Sequence, residues 1–275
     1  MSAARGMDRR RLGRLALRGS AWFAMAYILL PLFFVIWLSF FAQEIPSFPP
    51  EGYSLRWYAA APREERFVSG FRLSLEVGLL ATAIGLLLGV PAALALTRGR
   101  LPGAGALSNT LLLPLAVPGV VLGVAIYVFH VETEMRTEWP ILGSFAGLVA
   151  AHALLVIPWT VRLITASLEG LDRSIEEAAQ SLGANRLTTF RRVTLPAILP
   201  GVVASTLFGF VASFSNLEMS LFLVGPGRTT LPIAILQYLE WKIDPTIAAV
   251  SVLQIAVIAA AMLITDRFVK ISRVV

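Results

Sequence analysis

The sequence predicts an all-α, polytopic membrane protein with about six transmembrane helices. Three observations carry that expectation. Hydrophobic residues make up 57% of the 275 and charged residues only 15%, against ~45–50% and ~25% in ordinary soluble domains. Mean hydropathy is +0.76, so the chain holds more apolar side chain than a soluble globule of this length could enclose, and the excess must face lipid. The apolar residues also fall in runs long enough to cross a bilayer, which takes roughly 17–25 residues.

The first run is Ala21–Ala42. It follows a basic segment, residues 1–20, holding Arg5, Arg9, Arg10, Arg11, Arg14 and Arg18. The apolar core of a cleaved signal has only ~7–15 residues, so an uncleaved first span is expected. Further spans are expected near Leu73–Leu96, Leu107–Phe129, Leu142–Ala166, Ile198–Leu223 and Ile247–Ile264. Pro91, Pro114, Pro118 and Pro158 lie inside these runs, where neighbouring helices satisfy the freed carbonyls. The two in the third span predict a bent helix there.

Lys and Arg assign the orientation. With the N-terminus inside, the inner segments collect the six arginines of the leader with Arg98, Arg100, Arg173, Arg186, Arg191, Arg192, Arg267, Lys270 and Arg273. That makes fifteen, against seven outside: Arg56, Arg63, Arg66, Arg72, Arg136, Arg228 and Lys242. The bias puts both termini in the cytoplasm. Arg162, within the fourth span, reads as a side chain snorkelling to the inner headgroups. The net charge of +6 therefore reads as lipid-facing, and no nucleic-acid partner is expected.

The absence of cysteine excludes disulfides, thiolate nucleophiles and Cys-based metal sites. His130 and His152 are too far apart in sequence for a short-spaced metal motif, so no metal site and no catalytic residues are predicted. His152 reads as a hydrogen-bonded packing residue.

The most informative segment is the polar loop between the fourth and fifth spans, residues 168–196. Ser174 followed by Glu177 suggests a capping box and a helix start, with Glu176 and Glu177 favoured there by the helix dipole. Ala178 and Ala179 propagate the helix, and Gly183 is expected to stop it. A second helical stretch over Leu187–Val193 is expected, with Pro196 in the first turn of the next span. Two short helices meeting at a glycine predict a compact cytoplasmic knob.

The loop reads Glu177-Ala178-Ala179, three residues, Gly183, nine residues, then Val193-Thr194-Leu195-Pro196. This resembles the permeases of binding-protein-dependent ABC importers, whose loop carries Glu-Ala-Ala, Gly and Ile-x-Leu-Pro at that spacing; Val193 for Ile is the one departure. The resemblance implies a MetI-like type I ABC importer permease fold in a bacterial inner membrane, with residues 21–275 forming a single permease domain. It implies that Glu177, Ala178, Ala179, Gly183, Val193, Leu195 and Pro196 couple the chain to a cytoplasmic ATPase dimer. ATP and Mg would bind at that partner, and no cofactor at this chain, which has no phosphate loop of its own. A second, homologous permease subunit and a periplasmic solute-binding protein are the other implied partners.

Within the family the chain looks closest to the spermidine/putrescine branch. Tyr53-Ser54-Leu55-Arg56-Trp57-Tyr58 is similar to that branch's Ser-Leu-x-Trp-Tyr segment and reads as an interfacial piece. Gly225-Pro226, Thr230-Leu231-Pro232, Ser213 and Ser220 also match. The branch often has acids where this chain has Ser215 and Asn216. Glu218 is the one acid in the fifth apolar run, and such a group is by default a functional candidate. It either faces a translocation path with Ser213, Ser215 and Asn216, or serves structurally by reaching the outer interface or pairing with Arg228 or Lys242. The main rival reading is a secondary transporter driven by an ion gradient, which would need buried carboxylates or unwound helix pairs. An intramembrane enzyme would need paired catalytic groups at membrane depth, and the sequence offers none.

Overall fold

The computed structural model describes residues 2–99 and 101–268; Arg100, Lys270 and Arg273 of the inner basic set lie outside them. The chain groups into two compact units, Met1–Arg63 with Tyr238–Ile255, and Glu64–Gln237 with Ala256–Val275.

The first unit opens with α1, Ser2–Leu38. The expected helix began only at Ala21, but Arg, Leu and Ala are strong helix formers and carry it back through the basic leader. It ends four residues earlier than expected. There the Ser39 hydroxyl donates to the Ile36 carbonyl at 2.6 Å, and Ala42 N–H pairs with Gly52 C=O at 2.9 Å. The short α2, Arg56–Ala60, folds back on this turn. Trp57 is buried, donating its indole N–H to the Phe41 carbonyl at 2.6 Å, and the Tyr58 hydroxyl bonds Ser39 at 2.6 Å. The segment read as interfacial therefore keeps its Trp inside the protein, because the indole N–H finds a carbonyl there.

The second unit is built on α3 (Glu65–Arg98), α6 (Phe145–Glu169) and α9 (Leu195–Phe214). Between α3 and α6 lie α4 (Ala104–Ala116) and α5 (Gly119–Thr137). Without a hydrophobic force between helices in lipid, such helices associate through small residues that let backbones approach. Val156 of α6, fully buried, fills the space left by Gly85 of α3 and Gly209 of α9. One turn further, Gly89 faces Thr160. Towards one end Ala93, Ile164, Leu168 and Ile198 form a buried cluster; towards the other, Val77, Leu148, Met219 and Leu223 do the same.

Two expected spans are broken. The third is two helices, α4 and α5, set at 105°. Residues before proline avoid the helical region, and Val117, before Pro118, is extended at φ −86°, ψ 133°. The fifth, expected to run to Leu223, stops at Phe214 and resumes as the single turn α10, Ser220–Leu223. Short polar side chains compete with the helix ladder here: Asn216 Oδ1 takes the Met219 N–H at 2.9 Å. Among the described residues five helices are long and apolar enough to cross a membrane, or six if the bent pair is one span.

After a turn the chain forms α11, Leu231–Trp241, which the sequence did not suggest, and then α12, Thr246–Phe268. The loop between α6 and α9 carries α7, Arg173–Ser181, and α8, Arg186–Thr189.

Candidate functional site

The α7–α8 loop is a knob with capped ends. The predicted capping box is not formed. Asp172, two residues before Ser174, caps α7 by accepting the Ser174 N–H at 2.9 Å, which leaves Ser174 inside the helix. That backbone hydrogen bond, with one from the Ser174 side chain, holds the Asp172 carboxyl below its ordinary value. At the other end Gly183 has φ +91°. Its N–H donates to Gln180 C=O at 2.9 Å, and the Ala184 N–H reaches back to Ala179 C=O at 3.1 Å. This is the paired closure of a Schellman motif. Asn185 then caps α8 through the Thr188 N–H at 2.8 Å.

Glu177 and Ala178 are exposed, as are Ile175, Leu182 and Leu187. Among the described residues Glu177 pairs with Arg173 of its own helix, at 3.4 Å. Leu182 is 90% exposed, although it is held between two capped turns. The expected helix Leu187–Val193 is instead α8 followed by a π turn over Phe190–Thr194. Leu195 N–H bonds to Phe190 C=O, five residues back, which accommodates Pro196, a residue with no N–H of its own. Val193 and Leu195 are half-buried, and Leu195 packs on the Ile164–Ile198 cluster.

The four residues considered for a path do not share one environment. Ser213 is buried, its hydroxyl 2.8 Å from His152 Nδ1, while His152 Nε2 lies 3.1 Å from the Ser220 hydroxyl. The Ser220 hydroxyl donates its one hydrogen to Asn216 C=O at 2.8 Å. It must therefore accept from His152 Nε2–H, and in the neutral ring Nδ1 accepts from Ser213. The ring thus ties α6 to both sides of the break after α9, as a packing histidine would. Ser215 bonds back to the Val211 carbonyl at 2.6 Å, and Asn216 is spent on the turn. Glu218, exposed like Ser215, has a carboxylate that no Lys or Arg pairs among the described residues. Arg228 donates to Gly143 C=O at 3.2 Å, and Lys242 pairs with Asp244 at 2.9 Å. Glu218 lies against Gly119, in the first turn of α5, and its backbone against Gly123. The breaks in the third and fifth runs therefore meet, and the acid sits where they do. Among the described residues no group of three or more His, Asp or Glu side chains is placed to hold a metal ion.

Residues 85–273, which hold the knob and both breaks, match the family of binding-protein-dependent transport system inner membrane components. The chain belongs to that family. It is 33% identical over 203 residues to the putrescine transport system permease protein PotI of Escherichia coli K12, covering 74% of this chain and 72% of PotI. It is 34% identical over 212 residues to the molybdenum transport system permease protein ModB of the same strain, covering 73% of this chain and 93% of ModB. Its fold is that of a bacterial ABC transporter involved in the import of the acidic polysaccharide alginate, at a TM-score of 0.72 and 16% identity over 94% of this chain and 97% of that one. The chain is accordingly an ABC importer permease, a multi-pass protein of the bacterial inner membrane.

One cluster of this permease escaped the sequence reading. Asp244, between α11 and α12, is buried. It accepts from the Tyr238 hydroxyl at 3.0 Å and the Thr246 N–H at 2.9 Å, besides pairing with Lys242. Burial pushes its carboxyl up, but the hydrogen bonds from Thr246 and Lys242 outweigh that and hold it below its ordinary 3.8. Lys242 is held above its ordinary 10.5, first by its hydrogen bond to Asp244. A lowered carboxyl adds stability above its unfolded value and loses it as the pH falls through the folded one. Thermal unfolding of the purified protein should therefore show Asp244→Asn less stable than the unaltered chain at pH 7, with the gap closing only below pH 3.8. A gap already closed at about pH 6 would contradict the assignment.

Proposed function

We propose that this chain is one transmembrane permease subunit of an ATP-driven importer, with residues 21–275 acting as one permease domain and both termini in the cytoplasm. A homologous permease completes the passage, an ATPase dimer binds ATP and Mg below, and a periplasmic binding protein delivers the solute. No residue of this chain does covalent chemistry.

The knob carries the reading. Two short helices capped at three points leave Ile175, Leu182 and Leu187 in solvent on the segment that carries Glu177. Exposed apolar side chains among charged ones suit a partner surface, and the Glu-Ala-Ala…Gly spacing lies on the same segment. The rigid caps suit a part that receives force from a partner.

For the solute, we propose a small organic cation of the polyamine class. The likeness to PotI supports it, together with the Glu218 carboxylate at the junction of the two broken helices, which no Lys or Arg pairs among the described residues. Discontinuous helices are common at transporter binding sites, and a carboxylate is the group an amine would meet. Ser215 and Asn216 line the same break, with Ser213 behind them.

The test is uptake by the reconstituted importer. Putrescine uptake should require ATP, and Glu218→Gln should lower it by at least about tenfold, the lower end of the loss expected for one charge-assisted contact of ~1.5–3 kcal/mol. Co-purification of the ATPase should not change. Unimpaired uptake in Glu218→Gln would return that residue to a structural role. Retention of an oxyanion rather than a polyamine by the associated binding protein would overturn the solute class, and uptake without the ATPase would favour an ion-driven carrier.

A further inference from the structure

Glu177 is the family-motif acid, yet its neighbour Glu176 makes the more consequential contacts. Glu176 is 8% exposed and points from α7 into the protein. Its Oε2 lies 2.6 Å from Arg98 Nε, at the last residue of α3. Its Oε1 accepts the Thr194 hydroxyl at 2.5 Å. Thr194, 3% exposed, closes the π turn that leads into α9. The Arg98 guanidinium also donates to the carbonyls of Leu168 and Leu171, each at 2.9 Å. The Leu168 carbonyl, in the last turn of α6, also takes the Leu171 N–H at 3.2 Å, and Leu171 lies in the turn between α6 and α7.

One half-buried guanidinium and one buried carboxylate thus join the ends of α3, α6 and α9 to the inner face of α7. A buried ion pair is weak evidence for stability, because its desolvation offsets most of the attraction. Its contribution is to position: one guanidinium nitrogen holds the Leu168 and Leu171 carbonyls while Nε stands in ion contact with the carboxylate. Thr194 bonds the other carboxylate oxygen, so the four elements are tied at one point. Beside the pair, on the inner face of α7, lies a polar cavity of about 770 Å³, lined by Leu94, Arg98, Glu177, Gln180 and Arg186 among others. With the pair cut, α7 has room to swing without dragging the membrane helices.

We propose that Arg98, Glu176 and Thr194 are positioning residues that make the knob and the three core helices move as one body, so that a displacement of α7 reaches the far end of α9. The proposal rests on the coupling reading above. It requires that cutting the tie separate ATP hydrolysis from movement in the membrane, rather than reduce both.

The absence of cysteine from the chain gives a readout that needs no knowledge of the solute. Leu217, exposed in the break beyond α9, is replaced by cysteine in the assembled importer, and its reaction rate with a water-soluble maleimide is measured with and without MgATP. In the Leu217→Cys importer with no other change, ATP should alter the rate by about fivefold or more, the usual lower bound for coupled sites. With Glu176→Gln added, which preserves size and a hydrogen bond to Thr194, ATP hydrolysis should stay within about twofold while the ATP-dependent change falls below about 1.5-fold. Thr194→Val should act in the same direction, and Thr194→Ser should restore the response; this pair decides the matter if Glu176→Gln does not assemble. Hydrolysis and response falling in proportion would reduce the cluster to a structural tie and overturn the proposal, as would an undiminished response. If ATP leaves the rate unchanged even without Glu176→Gln, the coupling reading itself fails and this proposal with it.

Discussion

Gly183→Val is expected to leave the protein folded and inserted while lowering ATP-dependent uptake by at least about tenfold, since it moves the docking surface by more than a contact's reach. The substitution meets no steric wall, because a side chain at residue 183 would have no heavy atom within 4 Å. Its cost is in the backbone. At φ +91° an L-residue is disfavoured by about 1–2 kcal/mol, and a β-branched one by more. The turn relaxes instead, releasing the Gly183 and Ala184 bonds that close α7 and changing the direction in which the chain enters α8. Gly183→Asn should recover most of the uptake, because Asn tolerates left-handed backbone. The check is uptake measured beside ATP hydrolysis and membrane yield. Normal uptake in Gly183→Val would remove the knob from the coupling path.

Gly85→Leu should have the larger effect on the fold itself, reducing assembled protein in the membrane by about tenfold or more, as overpacking a tight core costs ~1–3 kcal/mol even for small additions. A methyl group at Gly85 already falls on the Val156 Cγ1, and one at Gly209 would stand 2.6 Å from the same atom. Val156 therefore cannot yield to α3 without pressing on α9. Gly85→Ala combined with Val156→Ala should melt closer to the unaltered protein than Gly85→Ala alone. Additive losses in the double variant would mean that these residues do not touch.

The hydropathy of the chain disclosed most of its helices because lipid exposure writes long apolar runs directly into sequence. It misplaced what those runs conceal. Ser215, Asn216 and Glu218 lie in a run that reads as one span, and the break depends on Asn216 taking the Met219 N–H, a local competition too weak to register in an average over twenty residues. Pro118 signalled a bend, but the angle depends on Val117 leaving the helical region altogether. In the knob, the Glu-Ala-Ala…Gly spacing pointed to Gly183, whose left-handed backbone is a property of one residue and its neighbours. Glu176 and Arg98 could not be found that way. They are 78 positions apart in sequence, and nothing in their local pattern distinguishes Arg98 from the other arginines of the expected inner loops. Asp244 was overlooked for the same reason, since its burial is created by Tyr238 and Thr246 folding around it.

The π turn before Pro196 keeps residues 186–214 a single helical piece of 29 residues, about 43 Å long at 1.5 Å per residue. That is longer than the ~30 Å hydrocarbon layer, so one stiff rod runs from the knob to the edge of the Glu218 junction. Pivoting such a rod by about 5° sweeps its far tip through roughly 4 Å, more than the width of a water molecule. A small nudge at the Arg186 end is geometrically sufficient to shift the Glu218 junction at the other by that distance.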